Sequence, residues 1–294
     1  MKGYLIRMCH IGGVALAGIL LVACAVPQAV PAPPTPVAGA EPSPAPPPQA
    51  VPAPPTPVME APPSPAPPQE AVAEQSVTLT WYGQSMFTLE ADGGPAILLD
   101  PTSSVGYAGS PLDGIDVVTV SHEHSDHNEV TLATGSPIVL RGLAESEWAE
   151  VDETIEGVHL RSLGTYHDDS QGSERGKNGV FIIEAHGLRV VHLGDLGHLL
   201  SPEQVGAIGS VDVLMVPVGG FYTIDAAAAT EVMQQLEPRL VVPMHYKMPE
   251  TRSFMKPVDD FLKGKTVERR SGNQITLSRQ TLPQATTVLV MGYQ

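Results

Sequence analysis

Residues Ser121–His127 read SHEHSDH, so His122, His124, Asp126 and His127 place four metal-ligating groups within six residues. Holding imidazoles and a carboxylate this close is costly unless a cation occupies the space between them. In extended chain, residues two apart point to the same side, so His122 and His124 share a face. Asp126 and His127, after a turn, can face a second position. Three further candidates each follow a strand-like run: His167, Asp195 and His245. Nitrogen and oxygen donors without thiolate suit Zn²⁺, Mn²⁺ or Fe²⁺. Two such ions about 3.5–4 Å apart would share a water, lower its pKa and create a nucleophilic hydroxide. Histidines scattered through surface loops would account for one of these residues, not for H-x-H-x-D-H joined by three strand-end ligands.

The surrounding pattern supplies those strand ends. Val77–Tyr82, Met86–Glu90 and Ala96–Asp100 predict a meander, with turns at Gly83 and Asp92–Gly94. Val117–Val120 is a β-branched run that predicts a strand buried on both faces. Helices are expected from Asn128–Ala133 and over Gly142–Glu150. Strands are expected over Val158–Leu163, Gly179–Glu184 and Arg189–Leu193, with a hairpin turn at His186-Gly187. Pro202–Ile208 reads as a helix capped by Ser201. Val211–Val216 reads as a strand, Ile224–Leu236 as a helix, Leu240–Val242 as a strand and Val258–Leu262 as a short helix before a β-rich end. Strands outnumber helices, and two packed sheets with helices outside would cover both.

Composition narrows the chemistry. The chain has 294 residues and a formal charge of −16. Lys2, Arg7, Glu41, Glu60, Glu70 and Glu74 sum to −2, which leaves −14 on the domain after Gln75. Bulk attraction to nucleic-acid phosphates is therefore not expected. Both cysteines, Cys9 and Cys24, lie in the first 24 residues, so the domain has no disulfide, thiolate ligand or cysteine nucleophile. Lys2 and Arg7 precede an apolar run that ends Leu21-Val22-Ala23-Cys24. This resembles a bacterial lipobox. It implies a signal peptide over residues 1–23, acylation of Cys24, and a lipid-anchored protein of the bacterial cell envelope outside the cytoplasm. Residues 24–75 are rich in Pro and Ala, and QAVPAPPTPV at Gln28–Val37 recurs at Gln49–Val58. With no large apolar residues to bury, this segment is expected to be a disordered polyproline-II tether ahead of the domain, 76–294.

The motifs HEHSDH, then His167, GD at Asp195 and PMH at His245, resemble the metallo-β-lactamase superfamily. WYGQSMFTLE, ILLDP, YHDD, RGKNGVFIIE, HLGDLGH, VDVLMVPVGGFYTIDA and VVPMHYK are similar to the branch of metal-dependent hydrolases that includes L-ascorbate-6-phosphate lactonase. The resemblance implies an αββα sandwich of two packed mixed sheets with helices outside. It puts His122, His124 and His167 on a first metal, and Asp126, His127 and His245 on a second, with Asp195 bridging. Asp126 and Asp195 would also orient the nucleophile. Zn²⁺ is the expected ion, with Mn²⁺ or Fe²⁺ as competitors. The missing thiolate and the bridging Asp195 both argue against antibiotic hydrolysis.

Other residues are candidates to support a ligand or meet a substrate. His192 could orient a ligand carboxylate, and Asp168 could accept a ligand-histidine proton. His198 could line the cleft. Arg175 and Lys177 could recognise an anionic group, and Tyr222, with Tyr246 and Lys247, could wall the pocket. The expected activity is hydrolysis of a small ester, lactone or phosphoester at the end of a membrane tether. Phosphodiesterase action on phospholipid or nucleotide substrates is the alternative within enzymes. A tethered metal- or ligand-binding lipoprotein without catalysis is the alternative outside them. Oligomeric state is not legible.

Overall fold

The computed structural model describes residues 75–103, 109–248 and 254–292. The chain divides into Met1–Pro67 and Pro68–Gln294, and every described residue belongs to the second unit. The leader, Cys24 and the repeat lie outside the described residues.

The first strands are β1 (Val77–Gly83), β2 (Met86–Ala91), β3 (Ala96–Leu99), β4 (Val117–Val120) and β5 (Ile138–Arg141). A small hairpin, β6 (Leu143–Ala144) with β7 (Glu147–Trp148), leads to β8 (Asp152–Ile155), β9 (Val158–Tyr166), β10 (Lys177–Ala185) and β11 (Leu188–His192). Then come α1 (Pro202–Ile208), β12 (Val213–Pro217), α2 (Ala226–Leu236), β13 (Leu240–Met244) and α3 (Asp259–Leu262). The described chain closes with β14 (Val267–Arg269), β15 (Gln274–Leu277) and β16 (Thr287–Val290).

Two sheets result. One has the order β15-β1-β2-β3-β4-β5, and the other β14-β16-β13-β12-β11-β10-β9-β8. Both are mixed. The meander β1–β3 is antiparallel and β3–β4–β5 parallel, while β11–β12–β13–β16 is parallel and β8–β11 antiparallel. Leu79, Phe87, Leu89 and Ile97 of the first sheet and Val180, Ile182, Val191 and Leu214 of the second belong to one buried cluster. That is the sandwich core. All four residues of β4 are buried, as its β-branched run requires.

Among the described residues, the α-helices with close sheet contacts lie against the second sheet. Helix α1 packs on β9 and α2 on β12, both in the second sheet. Ser201 and Gln204 form the capping box of α1, and Asp225 accepts from the Ala227 and Ala228 amides to start α2. On the outer face of the first sheet, Met86, Leu98, Val118 and Val120 pack with Leu132 and Ala133. The expected helix at Asn128–Ala133 is a single 3₁₀ turn, Val130–Leu132, with neither an N-cap side-chain bond nor an acidic first turn. The expected helix over Gly142–Glu150 is instead the β6–β7 hairpin, with Glu145 left-handed at φ 58°. Gly142 is the physical reason for a hairpin here. A Cβ there would lie 2.9 Å from both Gly179 Cα and the Ser121 carbonyl, so the chain must cross tightly before turning back. Among the described residues, no helix is long and apolar enough to cross a membrane.

Candidate metal centre

Four strand ends converge on one cluster. The turn after β4 carries Ser121–His127, His167 follows β9, Asp195 lies just past β11, and His245 follows β13. Asp195 Oδ2 lies 3.2 Å from Nε2 of His127, of His167 and of His245, and 3.9 Å from Nε2 of His122. His122 Nε2 and His124 Nδ1 are 3.1 Å apart. Two nitrogens about 2.0–2.1 Å from a shared tetrahedral ion would be about 3.3 Å apart, so this spacing fits a common ligand position. His122, His124 and His167 form one group whose donor atoms all lie within 4.8 Å of each other, and Asp126, His127 and His245 form another. Asp195 Oδ2 touches members of both. All seven residues expected from the motif are therefore brought together, with His124 exposed and Asp126 half-buried on the open side.

A layer behind the cluster fixes it. Asp100, in ILLDP, is fully buried at the end of β3 and left-handed at φ 44°. Its Oδ1 accepts the Ser121 amide at 2.7 Å, and its Oδ2 accepts the Ser121 hydroxyl at 2.6 Å and His127 Nδ1–H at 2.8 Å. Since Ser121 Oγ donates to Asp100, it accepts from His122 Nδ1–H at 2.9 Å. This network assigns both tautomers and leaves Nε2 of His122 and His127 as lone-pair donors facing the site. Donor atoms of Asp100, His122 and His127 also lie within 4.8 Å of one another. The His127 Nδ1–H bond already uses Asp100, so it reads as a support.

Gln84 and Asn178 complete the layer. Gln84, in the β1–β2 turn, is buried and left-handed at φ 50°. Its Nε2 donates to Asp126 Oδ2 at 3.1 Å, and its carbonyl accepts the His245 amide at 3.2 Å. Asn178 Oδ1 accepts the Asp195 amide at 2.9 Å while its Nδ2 donates to Leu193 O and Thr165 Oγ1. Neither Asp100, Gln84 nor Asn178 stands out in the sequence as a ligand-like residue. An acid ending an otherwise apolar strand, as in AILLD, is the signal that Asp100 leaves.

The electrostatics ask for a cation. Burial, then repulsion from His127, pushes His122 well below the usual histidine value, and burial with His167 pushes His124 down. Burial alone would raise the Asp195 carboxyl, but His127 and His245 outweigh it and hold Asp195 well below the carboxylate range. His127 goes the other way. Burial opposes its charge, and Asp195 with Asp100 overcomes that and raises it well above the usual value. Buried Nε2 of His127 and Oδ1 of Asp195 have no hydrogen-bond partner among the described residues. Unpartnered buried donors around an ionised carboxylate fit metal ligation.

The weaker candidates divide. Arg175 and Lys177 line a cleft of about 420 Å³ together with His122, His124, Leu143 and Glu147. Lys177 Nζ pairs with Glu147 at 2.5 Å and lies over the Trp148 ring. Asp168 does not reach a ligand histidine. Its carboxylate accepts the amides of Ser170, Gly172, Glu174 and Arg175, so it shapes the loop that presents Arg175. His192 does not orient a ligand carboxylate either. Its Nε2–H donates to Ser85 O at 2.9 Å and its Nδ1 accepts from the Gly194 amide at 3.2 Å. His198 braces backbone, accepting the Tyr166 amide and donating to Leu199 O. Tyr222 is half-exposed beside Phe221 and outside the lining of that cleft. Tyr246 is buried against Trp81, and burial pushes its phenol up to about 12.

This fold and cluster define a metal-dependent hydrolase, and comparison with known proteins agrees. The family described as "Beta-lactamase superfamily domain" matches residues 78–245. A protein of the UPF0173 family from Pyrococcus furiosus is 33% identical over 184 residues, which is 57% of this chain and 82% of that protein. A UPF0173 metal-dependent hydrolase from Thermoplasma acidophilum is 27% identical over 194 residues, covering 58% and 84%. A Thermotoga maritima structure, a candidate zinc-dependent hydrolase of the metallo-β-lactamase superfamily, is 38% identical with a TM-score of 0.60. It matches 74% of this chain and 100% of its own, so the matched region makes up the whole of that crystallised chain. The chain belongs to the metallo-β-lactamase superfamily, within the UPF0173 metal-dependent hydrolases.

Proposed function

We propose that this chain is a dinuclear hydrolase of a small ester, lactone or phosphoester, tethered outside the cytoplasm by an acylated Cys24. The observation that carries the dinuclear reading is Asp195 Oδ2, 3.2 Å from His167 in one ligand group and from His127 and His245 in the other. His122, His124 and His167 would hold one divalent ion, and Asp126, His127 and His245 a second, with Asp195 between them. Such ions supply Lewis acidity and water acidified into the neutral range. Zn²⁺ suits the donors best, with Mn²⁺ and Fe²⁺ as competitors.

The chain's own residues do the rest. Asp100 and Ser121 hold the imidazoles in the tautomers that ligate. Gln84 pins one oxygen of Asp126, so that carboxylate is oriented to take a proton from the attacking water. The cleft suits a small molecule, and Arg175 favours one with an anionic group, since Lys177 is already paired with Glu147. Arg175 also supports phosphodiester cleavage as the second reading. Lipobox and tether support membrane attachment, and the acidic domain disfavours a nucleic-acid substrate. The test is metal quantification with a screen of esters, lactones and phosphodiesters. Hydrolysis that needs added metal and is lost in His127→Ala is expected. A metal-replete domain inactive on every class would reject the reading.

A further inference from the structure

Three loops meet beside His245. The loop after β12 carries Phe221 and Tyr222, the chain after β13 carries Lys247, and a returning segment carries Phe254 and Lys256. Backbone bonds join them. The Lys256 amide donates to Gly219 O at 2.8 Å, the Lys247 amide to Lys256 O at 3.0 Å, and the Gly219 amide to His245 O at 3.1 Å. The rings cluster, with Phe221 and Phe254 stacked at 5.0 Å between centroids and Phe221 and Tyr222 edge-on at 4.6 Å. Even so, Phe221 stays 57% exposed, Phe254 75% and Tyr222 39%. Leaving this much aromatic surface in water forgoes the usual stabilisation from burial. Phe221 is also left-handed at φ 65°, which a bulky residue adopts only when its surroundings impose it. Arg175 Nη2 donates to the Phe221 carbonyl at 3.1 Å, and Arg175 lines the metal cleft. Platform and cleft therefore share a side chain. The charges nearby include Arg175, Lys247 and Lys256, set against Glu174, which is 3.3 Å from Arg175, Asp225 beside Gly220, Asp260 on the side of Lys256, and Glu123 and Glu147 in the cleft lining.

We propose that Phe221, Phe254 and Tyr222 form a subsite for the apolar or aromatic part of an amphiphilic anionic substrate. The reacting ester or lactone would lie in the cleft, and Arg175 would take the anionic group. This rests on the hydrolase reading and adds a substrate class to it. Aromatic faces bind flat rings or alkyl chains, and a guanidinium binds carboxylate, sulfonate or phosphate. A small, wholly polar substrate would leave the platform unused.

The test titrates 8-anilinonaphthalene-1-sulfonate, an aromatic anion, into the metal-depleted domain 76–294 and follows fluorescence. Saturable binding is expected, weakened at least tenfold in Phe221→Ser and in Phe254→Ser and about threefold in Arg175→Gln. Leu199→Ser, which removes a different exposed apolar side chain, should change nothing, and circular dichroism checks folding. In parallel, kcat/KM for p-nitrophenyl acetate, butyrate and octanoate on metal-loaded domain should rise at least tenfold along the series and stay flat in the double Phe variant. Equal probe binding in all variants overturns the subsite. So does a wild-type dimer that Phe221→Ser renders monomeric with unchanged probe affinity, because a second copy would then be the occupant. Phe-dependent probe binding with no ester cleavage supports the subsite and counts against the ester reading alone.

Discussion

Left-handed residues occur at both ends of these strands, and they do different work. Away from the metal cluster, Glu156-Gly157 and His186-Gly187 form the two-residue loops of β8–β9 and β10–β11, with φ of 46°, 84°, 50° and 73°. A tight hairpin demands positive φ at both central positions, so the backbone sets these residues and their side chains are incidental. At the metal end, Gln84, Asp100 and His245 have nearly the same φ, but all three are buried and each places a polar side chain in the cluster or behind it. One end bears strain to turn the chain, and the other bears it to aim a side chain.

The largest effect should come from Asp100. Asp100→Ala strips an acceptor from three donors at Ser121 and His127, leaving buried polar groups unsatisfied. A stability loss of about 3 kcal/mol or more is expected in denaturant unfolding, with metal affinity lowered at least tenfold. A loss below about 1 kcal/mol with unchanged metal binding would make Asp100 a turn residue like Glu156. Gln84 comes next. Gln84→Gly keeps the left-handed backbone but removes the hydrogen bond to Asp126, so metal titration should show about a tenfold weaker site. Unchanged affinity would mean that the backbone, not the carboxamide, is what matters there.

Glu156→Gly is the converse. It relieves a left-handed β-carbon at the cost of unfolded-state entropy, so stability should change by less than about 1 kcal/mol, and metal binding not at all. The smallest effect is at His159, near the far end of β9. Asp152 accepts a hydrogen bond from its ring and raises its pKa; burial opposes this, and a second hydrogen bond to Glu184 adds to the rise. A raised folded pKa stabilises fully below the unfolded value of about 6.5, and the effect fades as pH climbs through the folded value. The pair is largely solvated, so His159→Gln should cost less than about 1 kcal/mol at pH 5.5 and nothing at pH 9, as read by thermal unfolding.

The two ends also differ in what the sequence discloses. The hairpin at His186-Gly187 and the strands around it are legible because turn chemistry and β-branched runs are local. The ligand motif is equally local within Ser121–His127, and His167, Asp195 and His245 are findable because each sits at a strand end. Asp100 and Gln84 are not, since their partners lie 27 and 42 residues away and only strand pairing brings them together. Two expected helices failed for tertiary reasons. Gly142 is set by its close approach to Gly179, and Asn128–Ala133 is too short to do more than cover Met86 and Val118. Adjacency in sequence suggests Asp168 as a partner for His167, yet its carboxylate turns to the loop amides instead.

Metal stoichiometry tests most directly the proposal that one carboxylate joins two metal positions. The domain, depleted and titrated with Zn²⁺ or Mn²⁺, should bind two equivalents. Asp195→Ala should stay folded by circular dichroism, bind no more than one equivalent tightly, and lose about 10²–10³ in kcat on any substrate found, or about 3–4 kcal/mol. Saturation of the wild type at one equivalent with full activity, or two tight equivalents and near-wild-type kcat in Asp195→Ala, would contradict it.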